Sequence, residues 1–157
     1  MNGNRRQVLK GTGGMAVMGL AVSAGLFKPG SAWAQGAWNK AAFEAKSLAD
    51  TVKAMGGSGA TESKDIVINS PDIAENGAVV PFTIASRIAQ TEAIALLVEK
   101  NPNALVASFN IPGGTEAAVT TRAKMGQTSN VTALVKAGGK FYYTTKEVKV
   151  TLGGCGG

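Results

Sequence analysis

From Lys64 onward the chain is a succession of short runs rich in β-branched and aromatic residues: "KDIVINS", "GAVVPFTIAS", "ALVASFNI", "EAAVTTRAKM", "SNVTALVKA" and "KFYYTTKEVKVTL". Turn-forming residues separate them, among them Ser70-Pro71, Asn76-Gly77, Asn101-Pro102, Pro112-Gly113-Gly114, Gly126 and Gly138-Gly139. Strands recurring about every ten residues with such punctuation imply an antiparallel sandwich or barrel. "TEAIALLVEK", Thr91 to Lys100, is ambiguous: its composition favours a helix, whereas its position inside this series favours a strand, toward which the reading leans. Pro81 has no N–H to give a ladder, so its run is expected at a sheet edge or a bulge. No repeat of 20 to 50 residues is sustained.

Ahead of the strands, "AWNKAAFEAKSLADTVKAM" places Trp38, Ala42, Ala45, Ala49, Val52 and Met55 at spacings of three and four. One amphipathic helix is expected, with Lys40, Lys46 and Lys53 opposite its apolar stripe, which packs on the domain's own sheet or, as the alternative, docks on a partner. "GGSGA", Gly56 to Ala60, then ends the helix and opens a turn.

The first 34 residues have a different grammar. Arg5-Arg6 precedes a weakly hydrophobic run of 17 residues, Gly11 to Phe27, that contains five glycines; Lys28, Pro29 and Ala32-Trp33-Ala34 follow. A spanning helix needs about 20 predominantly apolar residues, so a removable signal fits better. The segment resembles a twin-arginine translocation signal, whose pattern is Ser/Thr-Arg-Arg-x-Phe-Leu-Lys. Arg5, Arg6, Leu9 and Lys10 match it, whereas Asn4 and Val8 replace the hydroxyl residue and the Phe. Cleavage is expected after Ala34, with Ala32 and Ala34 as the small residues of the site, and export to the periplasm follows. The rival is a general secretory signal with an incidental arginine pair; mild hydrophobicity and Lys28 favour the twin-arginine route. About 123 residues would remain, enough for one domain with a core and too few for two.

This leader also explains the charge. The chain has 16 Lys plus Arg against 10 Asp plus Glu, a formal charge of +6, but four of the basic residues and no acid lie in the first 34. The remainder is +2 with no basic stripe, which removes the case for nucleic-acid binding. The expected organisation is a leader at 1–34, a helix and glycine-rich turn at 35–60, a β-sandwich at 61–152 and a glycine arm at 153–157.

Several chemistries are excluded outright. The chain has no His, so Ser-His-Asp and Cys-His catalysis and His-containing metal sites are absent, and no resident cofactor is expected. A single Cys forms neither an internal disulfide nor a CxxC pair. Asp65, Asp72, Glu75, Glu92, Glu99, Glu116 and Glu147 are scattered without a spacing that singles out an acid/base pair, which fits solvated strand faces and turns. "GGSGAT" lacks the Lys-Ser/Thr of a phosphate loop. A route that exports folded proteins, in a chain without metal or haem ligands, points instead to a partner subunit assembled before export.

What remains is Cys155, in the terminal "GGCGG". An unperturbed thiol has a pKa near 8.5, so only a few per cent is thiolate at neutral pH. Nothing in the local sequence stabilises a thiolate, and the chain-end carboxylate two residues away opposes it. Such a thiol is poorly placed to act as a self-activated nucleophile and well placed to be presented elsewhere. Gly153, Gly154, Gly156 and Gly157 leave the backbone bare enough to enter a narrow channel, and five extended residues reach on the order of 15 Å.

Together, "VTLGGCGG", "SPDIAENGAVVPFTI", "NPNALVASFNI" and the twin-arginine leader resemble the SoxY family of thiosulfate-carrying subunits of the periplasmic sulfur-oxidation (Sox) system. The likeness spans essentially the whole mature chain. It implies an immunoglobulin-like antiparallel sandwich with an N-terminal helix, Cys155 as the covalent attachment point and Gly153, Gly154, Gly156 and Gly157 as its flexible arm. It also implies a heterodimer with SoxZ, and transient visits to SoxAX, SoxB and SoxCD that handle thiosulfate-derived sulfur on Cys155. Neither a nucleic acid nor a membrane enters this picture, and the chain itself is not an enzyme. Two other readings compete: an exported β-sandwich structural or assembly module crosslinked through Cys155, and a ubiquitin-like sulfur carrier working through a Gly157 thiocarboxylate. The second requires ATP, which export leaves behind.

Overall fold

The computed structural model describes residues 39–151. Two short helices, α1 (Lys40–Glu44) and α2 (Leu48–Ala54), precede nine strands among the described residues. These are β1 (Ala60–Glu62), β2 (Ile66–Asn69), β3 (Ile73–Ala74), β4 (Val80–Ser86), β5 (Thr91–Val98), β6 (Leu105–Asn110), β7 (Ala118–Ala123), β8 (Ser129–Ala137) and β9 (Lys140–Val150). One sheet has the order β1-β9-β8-β5-β6, with β3 also on β9; the other is β2-β4-β7. The fold is an immunoglobulin-like β-sandwich, as expected. It is not purely antiparallel, because β1 and β3 both run parallel to β9, one opposite Phe141–Tyr143 and the other opposite Lys149–Val150.

Alternation explains how the two sheets close on each other. Val80, Phe82 and Ile84 of β4 point inward and are fully buried, as are Ile94, Leu96 and Val98 of β5 and Val131, Ala133 and Val135 of β8. These side chains form one cluster between the sheets. On the other face of the larger sheet, Ala95, Leu97, Leu134 and Phe141 meet Ala42 and Val52 from the helices in a second cluster. Thr91–Val98 is therefore a strand covered on both faces, with its last six residues all buried.

The expected single helix is broken. Ala45 leaves helical geometry with ψ 139°, and its freed carbonyl accepts the Ala104 N–H at 3.0 Å. Ser47 then caps α2, accepting from Asp50 N at 3.1 Å. The break rotates the stripe: Ala42, Ala45 and Val52 are buried while Ala49 is exposed. Helix α2 ends in a Schellman motif, Gly57 N to Val52 O at 2.8 Å and Gly56 N to Lys53 O at 3.0 Å, with Gly56 at φ +88°.

Strand β4 also departs from expectation, being the central strand of its sheet. Pro81 is tolerated because β2 ends at Asn69, opposite Thr83, so that at Pro81 the strand pairs only with β7 through Arg122. No helix among the described residues is long and apolar enough to cross a membrane.

Candidate functional site

Cys155, the arm residues Gly153, Gly154, Gly156 and Gly157, and the leader residues Arg5, Arg6, Ala32 and Ala34 lie outside the described residues. The structure does describe the ground from which the arm departs, the end of β9.

That end is secured on both edges. Toward β3, Lys149 N donates to Asp72 O at 2.9 Å and Thr151 N to Ala74 O at 3.1 Å. On the other edge β8 pairs as far as Ser129 with Val148, and the Thr128 hydroxyl continues the series by accepting from Val150 N at 3.0 Å. Strand β3 is only two residues long, too short to hold itself, and a clamp sets its position. Lys146 Nζ donates to Ser70 O at 2.7 Å and pairs with Asp72 Oδ1 at 2.8 Å. The hydrogen bond from Lys146 and its charge hold the Asp72 carboxyl below the usual carboxylate range.

After β3 the chain turns back through "ENGAV", Glu75 to Val79. Asn76 Oδ1 accepts from Ala78 N at 2.9 Å, a local side-chain bond of the kind that shapes turns. Gly77 fits tightly: its carbonyl accepts from Met125 N at 2.7 Å, and a Cβ there would lie 2.7 Å from Val150 Cγ1. The segment 73–79 thus forms a collar along one edge of the last residues of β9, opposite the edge held by β8. Two of its side chains, Ile73 and Val79, are 55% and 52% exposed.

The acids do not converge. No group of three His, Cys, Asp or Glu among the described residues is placed to hold a metal ion. Glu92, at the other end of the sandwich, pairs with Lys136 at 3.2 Å, and that partner and the Gly139 N–H hold its carboxyl low. Both shifted acids are pushed away from neutral pH, opposite to what proton transfer requires. A cleft of about 300 Å³ opens beside the α1–α2 link, lined in part by Lys46, Leu48, Leu97, Glu99 and Asn130. Its charged groups are committed, Lys46 Nζ to Asn103 Oδ1 at 2.6 Å and Glu99 Oε2 to Asn130 Nδ2 at 2.9 Å.

Sequence reasoning missed the collar and its clamp. Asp72 reads there as one more solvated acid, and nothing in the spacing links it to Lys146. The available signal was the dense run Ser70-Pro71-Asp72 and Asn76-Gly77, more turn residues than a simple connection needs.

The described residues define a β-sandwich that makes its last strand a fixed pedestal for whatever follows Thr151. The family model for "Sulfur oxidation protein SoxY" matches residues 52–155, from within α2 through Cys155. The chain belongs to the SoxY family. Among solved structures it is similar to the sulfur carrier protein SoxY from Chlorobium limicola f thiosulfatophilum, at 38% identity and a TM-score of 0.58, covering 66% of this chain and 96% of that one. It also matches a superoxide reductase (neelaredoxin) from Ignicoccus hospitalis at 18% identity and a TM-score of 0.48, covering 55% of this chain and 79% of that one. No curated protein matches.

Proposed function

We propose that this chain is a sulfur carrier that holds thiosulfate-derived groups on Cys155 and presents them to enzymes of a periplasmic thiosulfate-oxidation system. The observation that carries the reading is the family match running through Cys155, the chain's single thiol, five residues beyond the end of an anchored strand. In this reading residues 1–34 are a twin-arginine leader removed after Ala34, SoxZ is the partner that travels with the folded chain, and 153–157 is the arm.

Loading joins the Cys155 thiolate to the outer sulfur of thiosulfate. One S–S bond forms and two electrons leave to the haem enzyme SoxAX, giving a cysteine S-thiosulfonate. SoxB then adds water across the sulfur–sulfone bond, releasing sulfate and two protons and leaving a persulfide on Cys155. Where SoxCD is present, it oxidises that remaining sulfur before a second hydrolysis frees the thiol. The chain needs no catalytic group of its own for these steps; it supplies one sulfur atom and a thin tether.

Intact-protein mass spectrometry after thiosulfate feeding tests this. A thiol-labile adduct of thiosulfate mass on Cys155 is expected, and an unmodified thiol or a disulfide dimer alone in a competent system overturns it. Substituting lysine at Arg5 and Arg6 is expected to retain both the chain and its partner in the cytoplasm.

A further inference from the structure

Tether length restricts where an enzyme acting on Cys155 can sit. Cys155 is four residues past Thr151, and at about 3.5 Å per extended residue its thiol reaches roughly 14 Å from there. An enzyme that draws this thiol into a buried site uses most of that reach inside its own channel. Its outer surface is then brought down onto the residues around Thr151.

Those residues are described. Ile73 is the direct partner of Lys149, and strand partners lie about 5 Å apart, so Ile73 is within roughly 10 Å of Thr151 by strand geometry. Val79 belongs to the same segment, two residues past Gly77, whose Cβ position lies against Val150. Both are β-branched, apolar and more than half exposed. Neither residue belongs to the buried cluster between the sheets. The third large exposed apolar side chain among the described residues, Val67, is on β2 in the other sheet.

We infer that Ile73 and Val79 form an apolar docking collar on which the enzymes that take the Cys155 arm seat the rim of their channel. The occupant is a partner protein with an apolar lip around a narrow entrance, and it uses the same ground for each step because the tether is the same. This inference rests on the carrier reading. Association is driven by covering the collar, while the four glycines of the arm, which have no side chains, add reach and little affinity.

The test uses the full chain with its co-purifying partner, SoxAX, thiosulfate and an electron acceptor, with Cys155 adduct measured by intact mass. Ile73→Lys and Val79→Lys together are expected to raise the KM for the carrier at least about tenfold, as loss of a buried apolar anchor does, with kcat little changed. Maleimide should modify Cys155 at the wild-type rate in these variants, and Val67→Lys should keep the wild-type KM. If the lysine variants melt early, Ile73→Ser with Val79→Ser removes the same apolar surface. A wild-type KM in folded collar variants overturns docking and leaves the carrier reading standing, as does an equal rise in KM for Val67→Lys. Failure of the wild-type chain to load overturns the carrier reading, and docking with it.

Discussion

Gly77 and Met125 meet through their backbones at the root of the arm: Met125 N–H donates to the Gly77 carbonyl at 2.7 Å, while the Met125 carbonyl oxygen occupies the space where a Gly77 side chain would begin. Gly77 is not among the glycines at positive φ, so the requirement there is for space alone. Gly77→Ala is expected to push the collar off β9 and the Met125 loop at a cost of about 1–3 kcal/mol, as overpacking does. A urea titration checks it, and an unchanged midpoint would show that the contact relaxes freely.

Lys146 and Asp72 give the same region a dependence on acid. Because the folded Asp72 carboxyl titrates below its ordinary 3.8, the pair stabilises the fold above that value and the contribution is lost as pH falls through the lower, folded pKa. Asp72→Asn should therefore be less stable than wild type near neutral pH and converge with it in strong acid. Lys146→Met should be worse than Asp72→Asn, because it also removes the donor to Ser70 O. Chemical denaturation across the acid range reads both, and parallel curves for wild type and Asp72→Asn would contradict the pairing.

At the far side of the larger sheet, Gly57 lies over Phe141. A Cβ on Gly57 would come within 2.5 Å of Phe141 Cδ2 and 2.7 Å of Val52 Cγ1. Gly57→Ala is expected to cost about 1–3 kcal/mol, with partial recovery when Phe141 is changed to Leu in the same chain. Thermal melts of the single and double variants decide it; additive losses would mean that the two residues do not compete for space.

Cys155→Ser is expected to abolish the thiosulfate adduct while the chain still co-purifies with the proposed partner SoxZ, because Cys155 follows β9 in sequence and the two buried clusters of the described residues are built from residues between Ala42 and Val148. Tandem affinity purification and intact mass measure the two properties separately. Loss of the partner along with the adduct would assign Cys155 a structural role.

Which parts of this protein were legible in its sequence follows from how local each cause is. The strand series was readable because alternation and turn residues act within a few positions. Thr91–Val98 was ambiguous for a reason the fold supplies: helices cover one face and the core the other, so alternation disappears and only an apolar run is left. The helix break at Ala45 was not readable, since it is stabilised by Ala104, far along the chain. Strands β1 and β3 escaped notice for the same reason; three and two residues long, they exist because β9 offers an edge. Cys155 was singled out by elimination and composition and lies outside the described residues, whereas the collar beside the end of β9 depends on Asp72, Gly77, Met125 and Lys146, which only the tertiary fold brings together.

The parallel seating of β3 beside the end of β9 has a mechanical side. A pull directed along the axis of the eleven-residue β9 meets ladder bonds to β8 and β3 that lie across that axis. The load is therefore shared in shear over many bonds at once and cannot unzip them one by one. In the proposed carrier role, such an anchor lets the chain's end be drawn toward one enzyme after another without fraying the strand that holds it.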